Sequence, residues 1–434
     1  MFQTLKNAWK IPELRKKILF TLLIVLLYRL GTSIPVPYVL PDIYTSGLQR
    51  QGIFELLNIM SGSAFGKATL FALSVSPYIT ASIVMQLLTI AIPPLEKLAQ
   101  NGEEGRKKIT SYTRWVTVAL ALLTAFGYAW YLKQSGMLIS KTGGMAVFEM
   151  IVVISCYCAG AALIMWMAEK INDHGIGNGI SIILFANILS RGGAICGTIY
   201  NLFIGGKTGG QLVLGIFGTL LVVVVSIAFF GLIVWFTNSE RRIPVQYAKR
   251  VVGRKMYGGQ TSNLPLKLNM TGVMPIIFSS SIVSIPATVG EFLGSDNGFT
   301  KFISKWFNYN TWLYVVVSFA LIIAFSYFYV LISFNPIEVA NNIRNNGGSI
   351  PGIRPGKPTT DYITRILNRI TLIGALFVGL ISCLPMIVNI IAGGQLSTLA
   401  FIGSSLMIVV GVALETYRDI EAQITMRNYK GFLD

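Results

Sequence analysis

His174 is the only histidine in this 434-residue chain, and it sits in the turn NDHGIGNG beside Asp173 and close to Glu169. An imidazole near two carboxylates could hold a metal or pass a proton. Both jobs need groups converging from separate elements, and here all three come from one short stretch, so a polar turn is the simpler reading. The four cysteines are Cys156, Cys158, Cys196 and Cys383. Cys156 and Cys158 are two apart and point to different sides of a helix. Three of the four lie within apolar segments, which favours small buried hydrophobes over a metal site or a disulfide. The run GGKT at 205–208 resembles part of a phosphate-binding loop, but the pattern requires a glycine where Asn201 stands. The glycine-rich HGIGNG opens an apolar segment instead of following a strand. No catalytic set, metal or cofactor is assigned.

Composition explains the poverty of catalytic groups. Hydrophobic residues make up 53% of the chain, charged residues only 12%, and the mean hydropathy is +0.64. A soluble domain carries roughly 25% charged residues, so this is a polytopic membrane protein. The first apolar run is long and lacks a small-residue cleavage site, so no cleavable leader is expected. The net charge of +17 would suit nucleic acid or a membrane surface, and the positions of the charges decide.

Ten spans are expected: 18–34, 70–92, 115–132, 147–168, 180–190 (extending as far as 203 if the glycines are helical), 212–236, 270–289, 311–334, 370–391 and 395–414. Residues 1–17 read as a basic amphipathic helix on the membrane surface. The first half is expected over 18–204, with a charged loop at 95–114. The second half is expected over 205–414, with long basic loops at 237–269 and 335–369, and 415–434 forms a tail. Of the 35 lysines and arginines, 26 fall on the side that holds the N-terminus. By the positive-inside rule both termini are cytoplasmic. Five spans per half make the second half run inverted, an arrangement that favours a central path between the halves.

No span centre carries an acidic or basic residue, which argues against an ion-coupled transporter. Aliphatic pairs at helical spacing stand there instead: Ile79 with Ile83, Ile180 with Leu184, and Ile277 with Ser281. The most unusual stretch is 52–94. An apolar segment at 53–65, too short to cross a bilayer, breaks at Ser61-Gly62-Ser63 and leads into a span carrying Ser74, Ser76, Thr80, Ser82, Gln86 and Thr89. Such backbone survives at membrane depth only inside protein or beside water.

The stretches FALSVSPYITASIVMQLL (71–88), NGEEGRKKITSYTR (101–114), HGIGNGISI (174–182), RRIPVQYAKR (241–250), LPLKLNMTGVMPIIF (264–278) and PGIRPG (351–356) occur in an order that resembles the SecY family, the central channel subunits of the bacterial Sec protein translocase. The likeness runs essentially end to end. It implies an all-α polytopic fold of ten transmembrane helices in two inverted pseudo-symmetric halves around an hourglass pore. It implies a plug helix at 53–65, with Ile53, Phe54, Leu56, Leu57, Ile59, Met60, Ser61 and Gly62. It implies a pore ring of Ile79, Ile83, Ile180, Leu184, Ile277 and Ile408, in which Leu184 departs from the usual isoleucine. It implies a lateral gate with Ser82, Gln86, Ser281, Ser284 and Ile285, between spans two and three on one side and seven and eight on the other. Arg241, Arg242, Lys249, Arg250, Arg254, Arg354 and Lys357 become docking residues for the motor SecA and the ribosome. The implied activity is passage of unfolded secretory polypeptides across the bacterial plasma membrane and sideways release of transmembrane segments into lipid. The implied partners are SecE, SecG, SecA, the ribosome, secretory preproteins with their signal peptides, membrane lipids, SecDF and YidC. No catalytic residues and no cofactor are implied.

Overall fold

The structure, a computed structural model, describes residues 6, 8–40, 58, 61–134, 136–140, 143–204, 210–247, 250–252, 255–257, 261–293, 311–393 and 402–430. Its helices are α1 (Pro12–Gly31), α2 (Ser76–Ala91), α3 (Pro93–Gln100), α4 (Gly102–Gln134), α5 (Gly144–His174), α6 (Gly179–Ser190), α7 (Gly192–Phe203), α8 (Gly210–Asn238), α9 (Met274–Leu293), α10 (Trp312–Ser333), α11 (Pro336–Asn345), α12 (Lys357–Ile391) and α13 (Ile402–Lys430). Short strands β1 (Glu240–Tyr247), β2 (Arg250–Val252), β3 (Lys255–Tyr257), β4 (Thr261–Lys267) and β5 (Gly348–Ser349) fill the two basic connections.

Helices α1, α2, α4, α5, α6, α8, α9, α10, α12 and α13 stand in the order of the ten expected spans. Among the described residues five stretches qualify as crossings on their own by length and apolarity, and the bent pair α2–α3 adds a sixth. Neighbour relations in the first half recur in the second: α2–α4 matches α9–α10, α4–α5 matches α10–α12, α5–α6 matches α12–α13, and α1–α6 matches α8–α13. The halves meet along two seams, α6 against α13 and α9 against α2 and α4.

Several boundaries differ from the sequence expectation for reasons of backbone chemistry. The second span begins at Ser76, not at residue 70. Pro77 has no N–H to offer the preceding turn and clashes with it, so the helix cannot extend upstream. Residues 61–75 instead form turns, with Ser63, Ala68 and Ser74 at positive φ. At the far end Pro93 excludes Ile92 from the helical region. Ile92 is extended (φ −111°, ψ 110°) and α3 leaves α2 at 101°. The stretch 95–114 is therefore helical, not a loop. The fifth span ends at Ser190 and breaks at Arg191 before α7. Asn178 starts α6 by accepting the Ile180 and Ser181 amides at 3.1 and 3.4 Å.

The long basic connections are folded. β1 pairs antiparallel with β4, from Glu240↔Lys267 to Gln246↔Thr261, and with β5 through Gln246↔Ser349 and Tyr247↔Gly348. Ile243, Val245 and Leu266 face inward onto Ile343, Ile350 and Ile363, which joins the two connections in one body.

Close backbone packing fixes the region before α2. A Cβ on Gly160 of α5 would overlap the Leu70 carbonyl. Backbone cannot yield as a flexible side chain can. Gly160→Val is expected to destabilise the protein by about 1–3 kcal/mol, read as a lowered thermal transition in detergent, whereas Ala161→Val on the same turn tests generic crowding.

Candidate functional site

The six aliphatic residues singled out from the sequence come together. Ile79 and Ile83 of α2, Leu184 of α6 and Ile277 of α9 are at most 2% exposed, and Ile180 of α6 and Ile408 of α13 are half-buried against them in one apolar cluster. Two helices of each half contribute, so the cluster straddles both seams. The residues share helical faces because each same-helix pair is four apart. Val75, 1% exposed, belongs to the same cluster and was not singled out. Its carbonyl accepts the Ile79 amide at 3.0 Å. The legible signal was its position four residues before Ile79, inside the expected span.

Beside this cluster lies a polar floor. The Asn187 Nδ2 of α6 donates to Ser74 Oγ at 3.3 Å, and Asn187 is fully buried. The segment at 58–66 closes on itself: Gly66 N–H donates to Asn58 Oδ1 and Phe65 N–H to Ser61 Oγ, each at 3.0 Å. Phe65 is pinned to the first half, its carbonyl accepting Tyr128 Oη at 2.6 Å and its ring stacking on Tyr128 at 4.3 Å. Of the expected plug residues, Ser61 and Gly62 stand in this turn. Ile53, Phe54, Leu56, Leu57, Ile59 and Met60 lie outside the described residues.

Among the expected gate residues, Ser82 and Gln86 are half-buried on α2 and Ser281 and Ser284 are buried on α9, the two helices in contact, while Ile285 is exposed. Three of their hydrogen bonds run along the helices. Ser281 Oγ donates to the Ile277 carbonyl (2.8 Å), Ser284 Oγ to the Ser281 carbonyl (2.7 Å), and Gln86 Nε2 to Ser82 Oγ (3.4 Å). Buried Gln86 Oε1 has no partner among the described residues. Ser279 bonds across to α10 instead, donating to the Ser318 carbonyl at 3.1 Å.

The basic residues occupy the folded body. Arg241 and Arg242 are exposed on β1, and Arg242 pairs with Glu240 at 2.7 Å. Partial desolvation and the Arg418 guanidinium hold the neighbouring Lys267 ammonium below its ordinary value. Arg250 is on β2, and Lys249 and Arg254 lie outside the described residues. Arg354 and Lys357 are exposed where β5 leads into α12. Gly352 and Gly356 take φ of 80° and 103°, and the Arg354 carbonyl accepts Thr359 Oγ1 at 2.9 Å, so the tip is a fixed turn.

The titratable turn offers no site. Glu169 is held by Arg114 through two contacts of 2.8 and 2.9 Å, and Asp173 lies 3.9 Å from Lys170. No group of three potential metal ligands occurs among the described residues.

The family model described as SecY matches residues 69–417. The chain is 44% identical to the protein translocase subunit SecY of Streptomyces coelicolor over 448 aligned residues, and 40% identical to that of Mycobacterium tuberculosis over 451, in both cases covering all of each chain. Its fold is similar to a solved protein-conducting channel (TM-score 0.63, 20% identity, 96% of each chain) and to Sec61 in the canine ribosome–channel complex from the endoplasmic reticulum (TM-score 0.59, 18% identity, 96% of each chain).

Proposed function

This chain belongs to the SecY family, a family of translocation channels and not of catalytic enzymes, and we propose that its apolar cluster is the constriction through which unfolded secretory polypeptides pass. The observation that carries this reading is that Ile79, Ile83, Ile180, Leu184, Ile277 and Ile408, drawn from four helices of two halves, form one apolar cluster. A narrow aliphatic ring holds water poorly and so blocks ions by dewetting. It also has no hydrogen-bond preference, so it closes around many different chains. We add Val75 to the ring. The protein has no catalytic role in this reading, and energy comes from ATP hydrolysed by SecA or from the translating ribosome.

Residues 53–65 act as the plug, and the seam of α9 against α2 and α4 acts as the lateral gate. A signal helix gains a few tenths of a kcal/mol per leucine on entering lipid, whereas polar helix contacts are worth roughly 1 kcal/mol each. Ser281 and Ser284 of the seam each donate to a carbonyl of their own helix. Exposed Arg241, Arg242, Arg354 and Lys357, with Lys249, Arg250 and Arg254, dock SecA and the ribosome, whose phosphates and acidic surfaces attract them. The occurrence of the structurally similar Sec61 in a ribosome–channel complex supports this. The protein sits in the bacterial plasma membrane with both termini cytoplasmic, with SecE and SecG as constant partners.

The test is a site-specific crosslink. A cysteine replacing Ile83 or Ile277 is expected to crosslink to a cysteine in a stalled, half-translocated secretory chain, and only when that chain is present. Normal export of the same chain with no crosslink at either position would remove the ring from the pathway.

A further inference from the structure

Arg114 of α4 grips Glu169 of α5 with both arms of its guanidinium. Nη2 lies 2.8 Å from Oε2, and Nε donates to Oε1 at 2.9 Å. Two parallel bonds from a planar fork fix orientation as well as distance. Glu169 is buried, whereas the Arg114 side chain is 54% exposed. The fork therefore closes the α4–α5 contact from its cytoplasmic end, on the reading that places 95–114 in the cytosol. A third helix converges on it: Glu169, Arg114 and Asp173 all act electrostatically on Tyr78 of α2, which precedes Ile79 in the chain. Both α2 and α4 meet α9 across the seam.

Helix α4 is held against α5 at two heights by different chemistry. At its outer end Tyr128 and Leu132 pack with Val153 and Tyr157 of α5, the two tyrosine rings 5.1 Å apart. Toward the cytoplasm the buried face of α4 is made of Thr113, Thr117 and Ala121. The threonine hydroxyls are spent within α4: Thr113 Oγ1 donates to the Ile109 carbonyl at 2.9 Å and Thr117 Oγ1 to the Thr113 carbonyl at 2.7 Å. Such a face buries little apolar surface. The fork carries the lower attachment, about 21 Å along the axis from Tyr128 at the helical rise per residue. A rod fixed at two heights cannot tilt; released at one, it pivots about the other. We propose that the Arg114–Glu169 fork is a brace that fixes the tilt of α4, and so sets how readily the seam with α9 parts for a signal helix. The proposal rests on the reading of that seam as the lateral gate. It makes Arg114 and Glu169 positioning residues for signal selection, although neither belongs to the apolar ring.

The experiment uses the full chain in its membrane complex. It compares export of a precursor carrying an intact signal sequence with export of the same precursor carrying a defective one. Arg114→Gln and Glu169→Gln are each expected to raise the defective-to-intact export ratio about tenfold, the factor that goes with losing one charge-assisted hydrogen bond. The double variant should match the single ones, because a brace breaks only once. Arg114→Lys keeps the ion pair without the fork and should fall between the unmodified chain and Arg114→Gln. Lys170→Gln removes a neighbouring charge that pairs with Asp173 on its own helix, and should leave the ratio unchanged. If Glu169→Gln does not assemble, the two Arg114 variants and Lys170→Gln carry the test. Export of both precursors falling together at an unchanged ratio would reduce the pair to ordinary fold stability and overturn the brace. So would additive effects in the double variant, or an effect of Lys170→Gln as large as that of Arg114→Gln. A covalent crosslink introduced between α4 and α9 separates the two ideas. If the crosslinked, assembled complex still releases transmembrane segments into lipid, the gate reading falls. If release stops and the fork variants select signals normally, only the brace falls.

Discussion

Ile277→Asp is expected to turn the resting channel into an ion leak. Ile277 is 1% exposed and belongs to the same apolar cluster as Ile79, Ile83 and Leu184. An ionised carboxylate there has no cation to meet and must draw water in, because leaving it dry costs several kcal/mol. Wetting the constriction abolishes the dewetting barrier, so resting conductance in planar bilayers should rise by at least about an order of magnitude. Discrimination between functional and defective signal sequences should relax in parallel. Ile277→Leu conserves volume and apolarity and should stay close to the unmodified channel. A dry, silent channel carrying aspartate at 277, correctly assembled, would remove the ring from the gating mechanism.

Arg354→Glu should nearly silence motor-driven translocation while leaving the membrane fold unchanged. Arg354 is exposed, and its side chain has no ion-pair partner among the described residues, so its reversal costs little within the chain. The turn that presents it is fixed by the backbone: two left-handed glycines and a bond between the Arg354 carbonyl and Thr359. Loss is thus confined to the docked partner. Charge reversal at a docking contact replaces attraction with repulsion and costs several kcal/mol, enough for a drop of about a hundredfold or more. The measurement is translocation of a purified preprotein into vesicles by the motor and ATP, with thermal stability of the complex as the control. Unimpaired translocation would leave Arg354 as ordinary cytoplasmic charge.

Hydropathy and charge made the ten-span order legible, because apolar runs of about twenty residues have only one cheap environment. Spacing singled out the pairs Ile79 with Ile83 and Ile180 with Leu184, because residues four apart share a helical face, whereas Ile408 entered only through the family resemblance. What stayed hidden depends on partners distant in sequence. The strand β1 reads as a basic loop interrupted by Pro244, and only its pairing with β4 and β5 makes it a sheet. The Arg114–Glu169 pair joins positions 55 apart. Val75 lies four residues before Ile79 and inside the expected span, but nothing in its residue type sets it apart from the other apolar residues there. The second span was read six residues too long because hydropathy does not register that Ser74 is left-handed.

The right-angled joint at Ile92 has a mechanical consequence. Helix α2 carries Ile79 and Ile83 in the apolar cluster and Ser82 and Gln86 at the seam. At its other end it turns by 101° into α3, which has no buried residue and lies against α4. A shaft with a crank fixed to it converts a sideways push into rotation. On the proposed reading, a protein leaning on α3 from the cytosol applies torque to the helix that lines both the pore and its side opening. Force could then reach the constriction through a single rigid element, with no ligand ever entering the membrane.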